Sequence, residues 1–227
     1  MTYKELINHL SIFADEKYAA FHTKLLVCPK KRVLGVRVPI LRKIAKRWQG
    51  SIGDLMMFPD EFYEVTFLKL TVVSNLEYEE FLLYCDDCVK LIDNWACCDS
   101  FKPKCIASHK EEFLPYVQKY FEEADERYKE FSERFALVTL LNFYIKKEYL
   151  PLIGEYLKRA TTEKYYVHMA AAWLTAEVLV KHYEEGLKFL NHLDGKTRNK
   201  AIQKAKESYR ISKEQKDFLD TLKYKKQ

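Results

Sequence analysis

The sequence predicts an all-α protein: a HEAT-like helical repeat solenoid of stacked antiparallel helix pairs with a concave basic face. Three observations predict it. Strand signals are almost absent, since Val72-Val73 sits inside a helical pattern and Asp194-Gly195 joins helical segments. Only six Gly and six Pro punctuate 227 residues, which leaves long windows free for helix with short turns. Lastly, unusual residue types recur in one register: Arg134 lies 39 residues after Trp95, and Trp173 lies 39 after Arg134. A period near ~40 suits two-helix HEAT-type repeats. Equivalent positions of stacked repeats line up along one surface. Trp95, Arg134 and Trp173 are therefore expected as neighbours on one concave wall, with Asp99 beside them. Coincidence is the competing explanation, and the matching helical flanks weigh against it.

Taken in order, residues 1–20 read as one amphipathic helix, with Leu6, Leu10, Phe13 and Tyr18 on helical spacing. Residues 21–37 read as irregular and basic, with a break at Cys28-Pro29-Lys30-Lys31-Arg32 and a turn at Leu34-Gly35-Val36. Pro39 suits the first turn of the next helix. There Ile40, Leu41, Ile44 and Trp48 form an apolar stripe, and Trp48 is read as core. Gly50 and Gly53 end that helix. Residues 61–75 and 78–91 follow as helices. Asp93 or Asn94 can cap a short helix around Trp95, and Pro103 stops it. Further helices are read at 111–122, 132–144 and 149–159. Thr161 or Thr162 is read as the cap of a helix over 164–183, followed by one over 183–193. Thr197 is read as the cap of 198–209, and residues 213–227 as a basic tail that frays. One domain, 1–227, is expected.

With 48% hydrophobic and 31% charged residues, the chain can bury a core and is not a disordered segment. No run reaches the ~18 apolar residues that span a bilayer, and the N-terminus lacks a signal-peptide core. A cytoplasmic monomer with no membrane association is expected. Net charge is only +5, but it is segregated. Residues 17–53 hold ten Lys or Arg and no acid; residues 194–227 hold eleven against five acids. Two basic ends on one side of a curved stack make a polyanion-binding rim; the bland alternative is a solvated outer face. Six cysteines without a secretory signal do not suggest disulfides. Cys85-Asp86-Asp87-Cys88 has CxxC spacing, but no second CxxC or His pair accompanies it, and i,i+3 on a helix suits buried packing. The six histidines show no ligand spacing. His168 is read either as bordering a cleft near Trp173 or as a capped or surface residue.

The stretch Asp93-Asn94-Trp95-Ala96-Cys97-Cys98-Asp99 puts an indole and a carboxylate at i and i+4, one turn apart on one helix face. An indole is usually buried and an aspartate usually is not, so one face bearing both suggests a wet cleft with an aromatic wall. Residue by residue, Trp95 and Trp173 can instead be core, Asp99 a surface acid, and Arg134 a partner of Glu130.

At this point the chain resembles the AlkD-like DNA alkylation repair proteins, a HEAT-like-repeat class of DNA glycosylase. The likeness runs from about Tyr18 to Tyr209. It rests on Leu34-Gly35-Val36-Arg37-Val38-Pro39 with Arg42, Asp93-Asn94-Trp95 with Asp99, Arg134-Phe135-Ala136, Trp173, and Thr197-Arg198-Asn199-Lys200-Ala201-Ile202. The resemblance implies a basic channel around double-stranded DNA and removal of cationic alkylpurines such as 3-methyladenine and 7-methylguanine, without obligatory base flipping. It implies Asp99 as the catalytic aspartate, Trp95 and Trp173 as site tryptophans, and Arg134 as the site arginine. Arg37, Arg42, Lys43, Lys46, Thr197, Arg198, Lys200 and Lys204 are the DNA-binding candidates. Tyr18 and Phe21 compete for the family's N-terminal site aromatic. No metal or organic cofactor is implied. A non-catalytic nucleic-acid-binding or protein-interaction scaffold is the alternative.

Overall fold

The computed structural model describes residues 1–26 and 31–225. Among these residues the fold is all-helical, with fourteen α-helices and no strand beyond one isolated bridge between Arg32 and Phe62. The packed helices have the character of a helical repeat solenoid. They gather into two compact units, Met1–His109 and Lys110–Gln227.

The first unit contains α1 (Tyr3–Ser11), α2 (Glu16–Leu25), α3 (Val38–Lys46), α4 (Ile52–Met57), α5 (Tyr63–Val73), α6 (Tyr78–Leu91) and α7 (Trp95–Ser100). Helix α5 is its axis: α3, α4, α6 and α7 all pack on it. Its apolar residues are not confined to one face, and ten of its eleven positions are buried. Two of those positions are charged. Glu64 and Lys69 are both fully inaccessible. A buried charge is tolerated only with partners that replace its hydration, and both have them. The Glu64 carboxylate accepts from the backbone N–H groups of Leu34 (3.0 Å), Gly35 (2.8 Å) and Val36 (3.2 Å). The Lys69 ammonium donates to the carbonyls of Met56 (3.1 Å) and Phe58 (2.6 Å) and to Asp60 (2.9 Å). Each charge thus ties down a chain segment that precedes α5.

Gly35 is required where it stands. Its φ of +91° is left-handed, and a Cβ there would come within 2.2 Å of the Asp15 carbonyl oxygen. The predicted first helix is in fact two. The chain breaks after Ser11, and Asp15 caps α2 by accepting from Tyr18 N–H at 3.0 Å. This leaves Phe13 exposed, and helix runs on to Leu25 where irregular chain was expected. The break read at Cys28-Pro29-Lys30 lies outside the described residues. Gly53 does not end α3 but sits in α4, which Ser51 caps. The CxxC pair is packing: Cys85 and Cys88 are both fully buried on α6.

The second unit contains α8 (Lys110–Phe121), α9 (Lys129–Phe143), α10 (Leu150–Arg159), α11 (Tyr165–Lys181), α12 (Tyr183–Phe189), α13 (Gly195–Lys206) and α14 (Lys213–Thr221). Here α11 is the axis, packed by α9, α12 and α13. Neither Thr161 nor Thr162 caps α11. Thr161 gives its N–H (2.7 Å) and its hydroxyl to the buried carboxylate of Glu133, and Glu130 accepts the Tyr166 N–H at 2.8 Å. Glu130 of α9 therefore does the capping that the local sequence was expected to do, while Glu133 ties down the segment before the helix. The tail also differs from expectation. Ser212 and Gln215 form a reciprocal capping box, so Lys213–Thr221 is helix.

The Glu64 cradle yields a stability prediction. Burial raises the Glu64 carboxyl above its ordinary range, while the three N–H groups oppose that shift. In Glu64→Gln one oxygen becomes an NH2 that faces a backbone N–H. Urea unfolding should show a loss of about 1–3 kcal/mol, with α-helical content kept below the transition.

Candidate functional site

Helix α7 is only six residues long and is held from outside. Asn94 starts it. Its side-chain oxygen accepts from Cys97 N–H at 2.9 Å, and its amide donates to Asp93 at 2.8 Å. Asp93 in turn pairs with Lys31 at 3.3 Å, and the same ammonium donates to the Leu91 carbonyl at 3.0 Å. Ala96, Cys97 and Cys98 are buried beneath, and burial pushes the Cys97 thiol up to about 12, so it is an inert packing group. The opposite face carries Trp95 and Asp99, one turn apart and both partly exposed. The indole is not loose. Its Nε1–H donates to the Leu25 carbonyl at the end of α2, at 3.1 Å.

That bond bears on the N-terminal aromatic. Phe21 lies one turn before Leu25 and is 60% exposed. Tyr18 is occupied on both sides: its ring stacks on His22, 5.4 Å between centroids, and the Arg37 guanidinium lies 4.6 Å over it. Arg37 also pairs with Asp15 at 3.0 Å. Phe21, whose ring lies 6.3 Å from that of Tyr18 between centroids, is thus the more exposed aromatic next to the segment that anchors Trp95.

The basic candidates on α3 separate into two stripes. Arg42 and Lys46 share one exposed face, and Arg42 lies close enough to Tyr63 to act on its phenol electrostatically. Lys43 instead shares a face with Ile40, Ile44 and Arg47.

In the second unit, Arg134 is buried, only 4% exposed. Its guanidinium donates to the Tyr166 carbonyl at 2.8 Å and lies 5.9 Å from the centre of that ring. It therefore fixes the start of α11, the helix that carries Trp173. Trp173 is half-buried and walls a small depression of about 220 Å³ together with Glu177, Lys204 of α13 and Glu207 just after that helix. The structure thus brings Trp173 and Lys204 together. Lys200 reaches Gln203 at 3.1 Å, and Arg198 donates to Asn191 at 2.5 Å.

Thr197 is neither a cap nor a surface contact. Asp194 caps α13 instead, accepting from the N–H groups of Lys196 (2.9 Å) and Thr197 (3.1 Å). Thr197 is fully buried, and its hydroxyl donates to Asp194 at 2.5 Å. It is therefore left to accept from His168 Nδ1 at 2.7 Å, which sets that imidazole's tautomer. Since the hydroxyl is spent inside the protein, Thr197 braces the helix from which Arg198, Lys200 and Lys204 project. His168 is likewise interior, 3% exposed, and burial lowers its pKa so that it stays neutral. A lone His and a lone Thr 29 residues apart carry no local signal of such a bond.

The comparisons with known proteins can now be set beside this geometry. A family model described as DNA alkylation repair enzyme matches residues 4–210. The chain belongs to that family. A comparison with curated proteins finds no match. As a member of the DNA alkylation repair enzymes, the chain has a repair role on alkylation damage, and the match spans both units. Among the described residues, no helix is long and apolar enough to cross a membrane, and no group of three His, Cys, Asp or Glu is placed to hold a metal ion.

Two consequences can be measured. Asn94→Ala removes the α7 cap and strands Cys97 N–H in a buried setting; chemical denaturation should register a loss of about 1–2 kcal/mol. The second concerns acid. Burial works against the Asp194 carboxylate, but hydrogen bonds from Thr197, Thr162 and the backbone outweigh it and pull its pKa down to about 2, from 3.8. A depressed carboxyl stabilises the fold fully above its unfolded pKa and loses that contribution as pH falls toward the folded value. Melting temperature should therefore drop between about pH 4 and pH 2, and less steeply in Asp194→Asn.

Proposed function

We propose that this DNA alkylation repair enzyme is a monofunctional glycosylase that excises cationic alkylpurines, of the 3-methyladenine and 7-methylguanine type, from duplex DNA. The observation that carries the reading is the α7 face, where an anchored indole and a part-exposed carboxylate stand one turn apart.

The chemistry explains why that pair suits such a lesion. An alkylated purine is already cationic and leaves readily. Breaking its glycosidic bond builds positive charge on the deoxyribose. A carboxylate already in place stabilises that charge as it develops, or orients the attacking water. Asp99 takes this role. Trp95, with its N–H committed to Leu25, has a fixed ring face to offer the cationic nucleoside, worth about 0.5–2 kcal/mol. Phe21 extends that aromatic wall. In the second unit Trp173 is assigned the same kind of contact. Arg134 acts as a held positive charge and as the positioning residue for α11. Arg37, Arg42, Lys46, Arg198, Lys200 and Lys204 grip phosphates, which fix register without reading bases. Contact with sugar and backbone leaves the base in the stack, so extrusion is not obligatory. The chemistry asks for no metal or organic cofactor, and the protein acts as a cytoplasmic monomer at the nucleoid.

The test is base release from a 7-methylguanine duplex. The wild type should liberate free base and leave abasic sites. Asp99→Asn should still bind the duplex but release base about 100-fold more slowly. Equal rates would remove Asp99 from the mechanism. Binding without release by the wild type would favour a non-catalytic scaffold. Affinity should fall steeply with added salt, as phosphate contacts demand.

A further inference from the structure

A cavity of about 590 Å³ opens in the first unit, on the α3 face that carries Lys43 rather than the one that carries Arg42 and Lys46. Its floor is apolar. Phe13 and Met1 contribute from the N-terminal segment, and Ile40, Ile44 and Trp48 from α3 and the chain just after it. Ile40, Lys43, Ile44 and Arg47 follow helical spacing, so two cations flank the apolar floor along one face. His9 adds a third basic side chain, and no acid lines the cavity. Phe13 owes its place to the chain break after α1, which leaves its ring 38% exposed and against His9, at 5.6 Å between centroids.

Trp48 adds a second, independent observation. Its Nε1 is buried and has no hydrogen-bond partner. Buried donors are nearly always paired. Gly50 lies close over the indole, where a Cβ would come within 3.0 Å of the ring. The chain thus packs tightly over the indole Nε1 edge, and Trp48 as a residue lines the cavity. The volume is that of a small-molecule site, and the lining is the usual one for such a site: mostly apolar, with a few polar groups that fix orientation.

We propose that this cavity binds a small anionic amphiphile: an aromatic or medium-chain apolar body that carries one carboxylate, sulfate or phosphate head. The body lies on Phe13, Ile44 and Trp48. The head meets Arg47 and Lys43 at the rim. The absence of acids selects an anion, and the apolar floor selects against a bare phosphate or a strand backbone, which would leave that floor wet.

The full-length protein should be titrated with anilinonaphthalene sulfonate and followed by fluorescence. A saturable rise with one site per chain is expected. Octyl sulfate should displace the probe at about tenfold lower concentration than 1-octanol, since the two share a chain and differ in the charged head. Phe13→Glu places an acid on the floor and should weaken the probe about tenfold. Arg47→Glu should abolish the preference for octyl sulfate. Both positions are exposed, and unchanged far-ultraviolet circular dichroism serves as the folding check. No saturable signal, equal potency of sulfate and alcohol on the wild type, or unchanged probe affinity in Phe13→Glu would each overturn the site. Displacement of the probe by unmodified duplex DNA, at a salt concentration that leaves octyl sulfate binding intact, would also overturn it, by assigning the cavity to nucleic acid.

Discussion

A carboxylate with no access to water organises the first unit. Glu64 sits on the most apolar helix of that unit, yet its charge is met by three consecutive backbone N–H groups of Leu34, Gly35 and Val36. Those groups would otherwise have no partner in a segment that belongs to neither helix nor sheet. The segment must bend sharply to reach the acid, which only a glycine at position 35 allows. Once bent, it delivers Arg37 to Asp15 and Tyr18, and Val38 and Pro39 to the first turn of α3. Lys69 does the same for the segment between α4 and α5. The two buried charges convert two segments that precede one helix into fixed structure, and α7 rests on that helix.

The second unit solves the same problem with different residues. Glu130, Glu133 and Arg134 occupy adjacent turns of α9 and together hold the chain from Thr161 to Tyr166. The acids take its N–H groups and the arginine takes a carbonyl. Helix α11 therefore begins where α9 dictates. Farther along, His168 bonds the Thr197 hydroxyl, which in turn donates to Asp194 at the start of α13. The bonds run from α9 to α11 and from α11 to α13, so Trp173 and Lys204 stand on helices that are fixed to one another by polar groups as well as by packing. Removing one member of such a buried chain leaves its partner unpaired, which costs more than the bond itself contributes.

How much of this was legible beforehand follows from the range of each signal. The bounds of α6 and a cap for α7 at Asp93 or Asn94 come from local spacing and cap chemistry; the structure has the bounds as read and puts the cap at Asn94. The break between α1 and α2 was missed because Leu6, Leu10 and Phe13 continue one helical spacing across it; only the Asp15 cap marks the new start. Helix α14 was hidden by its high charge, which reads as tail unless the Ser212 box is weighed. The capping of α11 by Glu130, and the hold of Glu133 on Thr161 before it, were not legible at all. The partners are 36 and 28 residues apart, and two threonines stood nearer to the helix start. Glu64 and Lys69 were hidden for the same reason: an apolar periodicity says that a position is buried but not what a charge placed there will find.

Three acids of the first unit bear on the carboxylate that the proposed chemistry requires. Glu64 is buried, and its charge is consumed by backbone donors. Asp93 is consumed by Lys31 and by the amide of Asn94. Both are held by bonds within the protein. Asp99, six residues from Asp93, is partly exposed, as Asp93 is, on the face it shares with Trp95. A group that stabilises charge developing on a sugar must be anionic before the sugar arrives, and must be held without being neutralised by a full burial cost. Asp99 stands near the end of a short helix. The cap and the Lys31–Asp93 pair fix where that helix starts, and the buried cysteines fix which face turns inward. On the proposed reading, the partly exposed face with Trp95 and Asp99 is the one that meets the substrate, and the buried face is the one that holds it rigid.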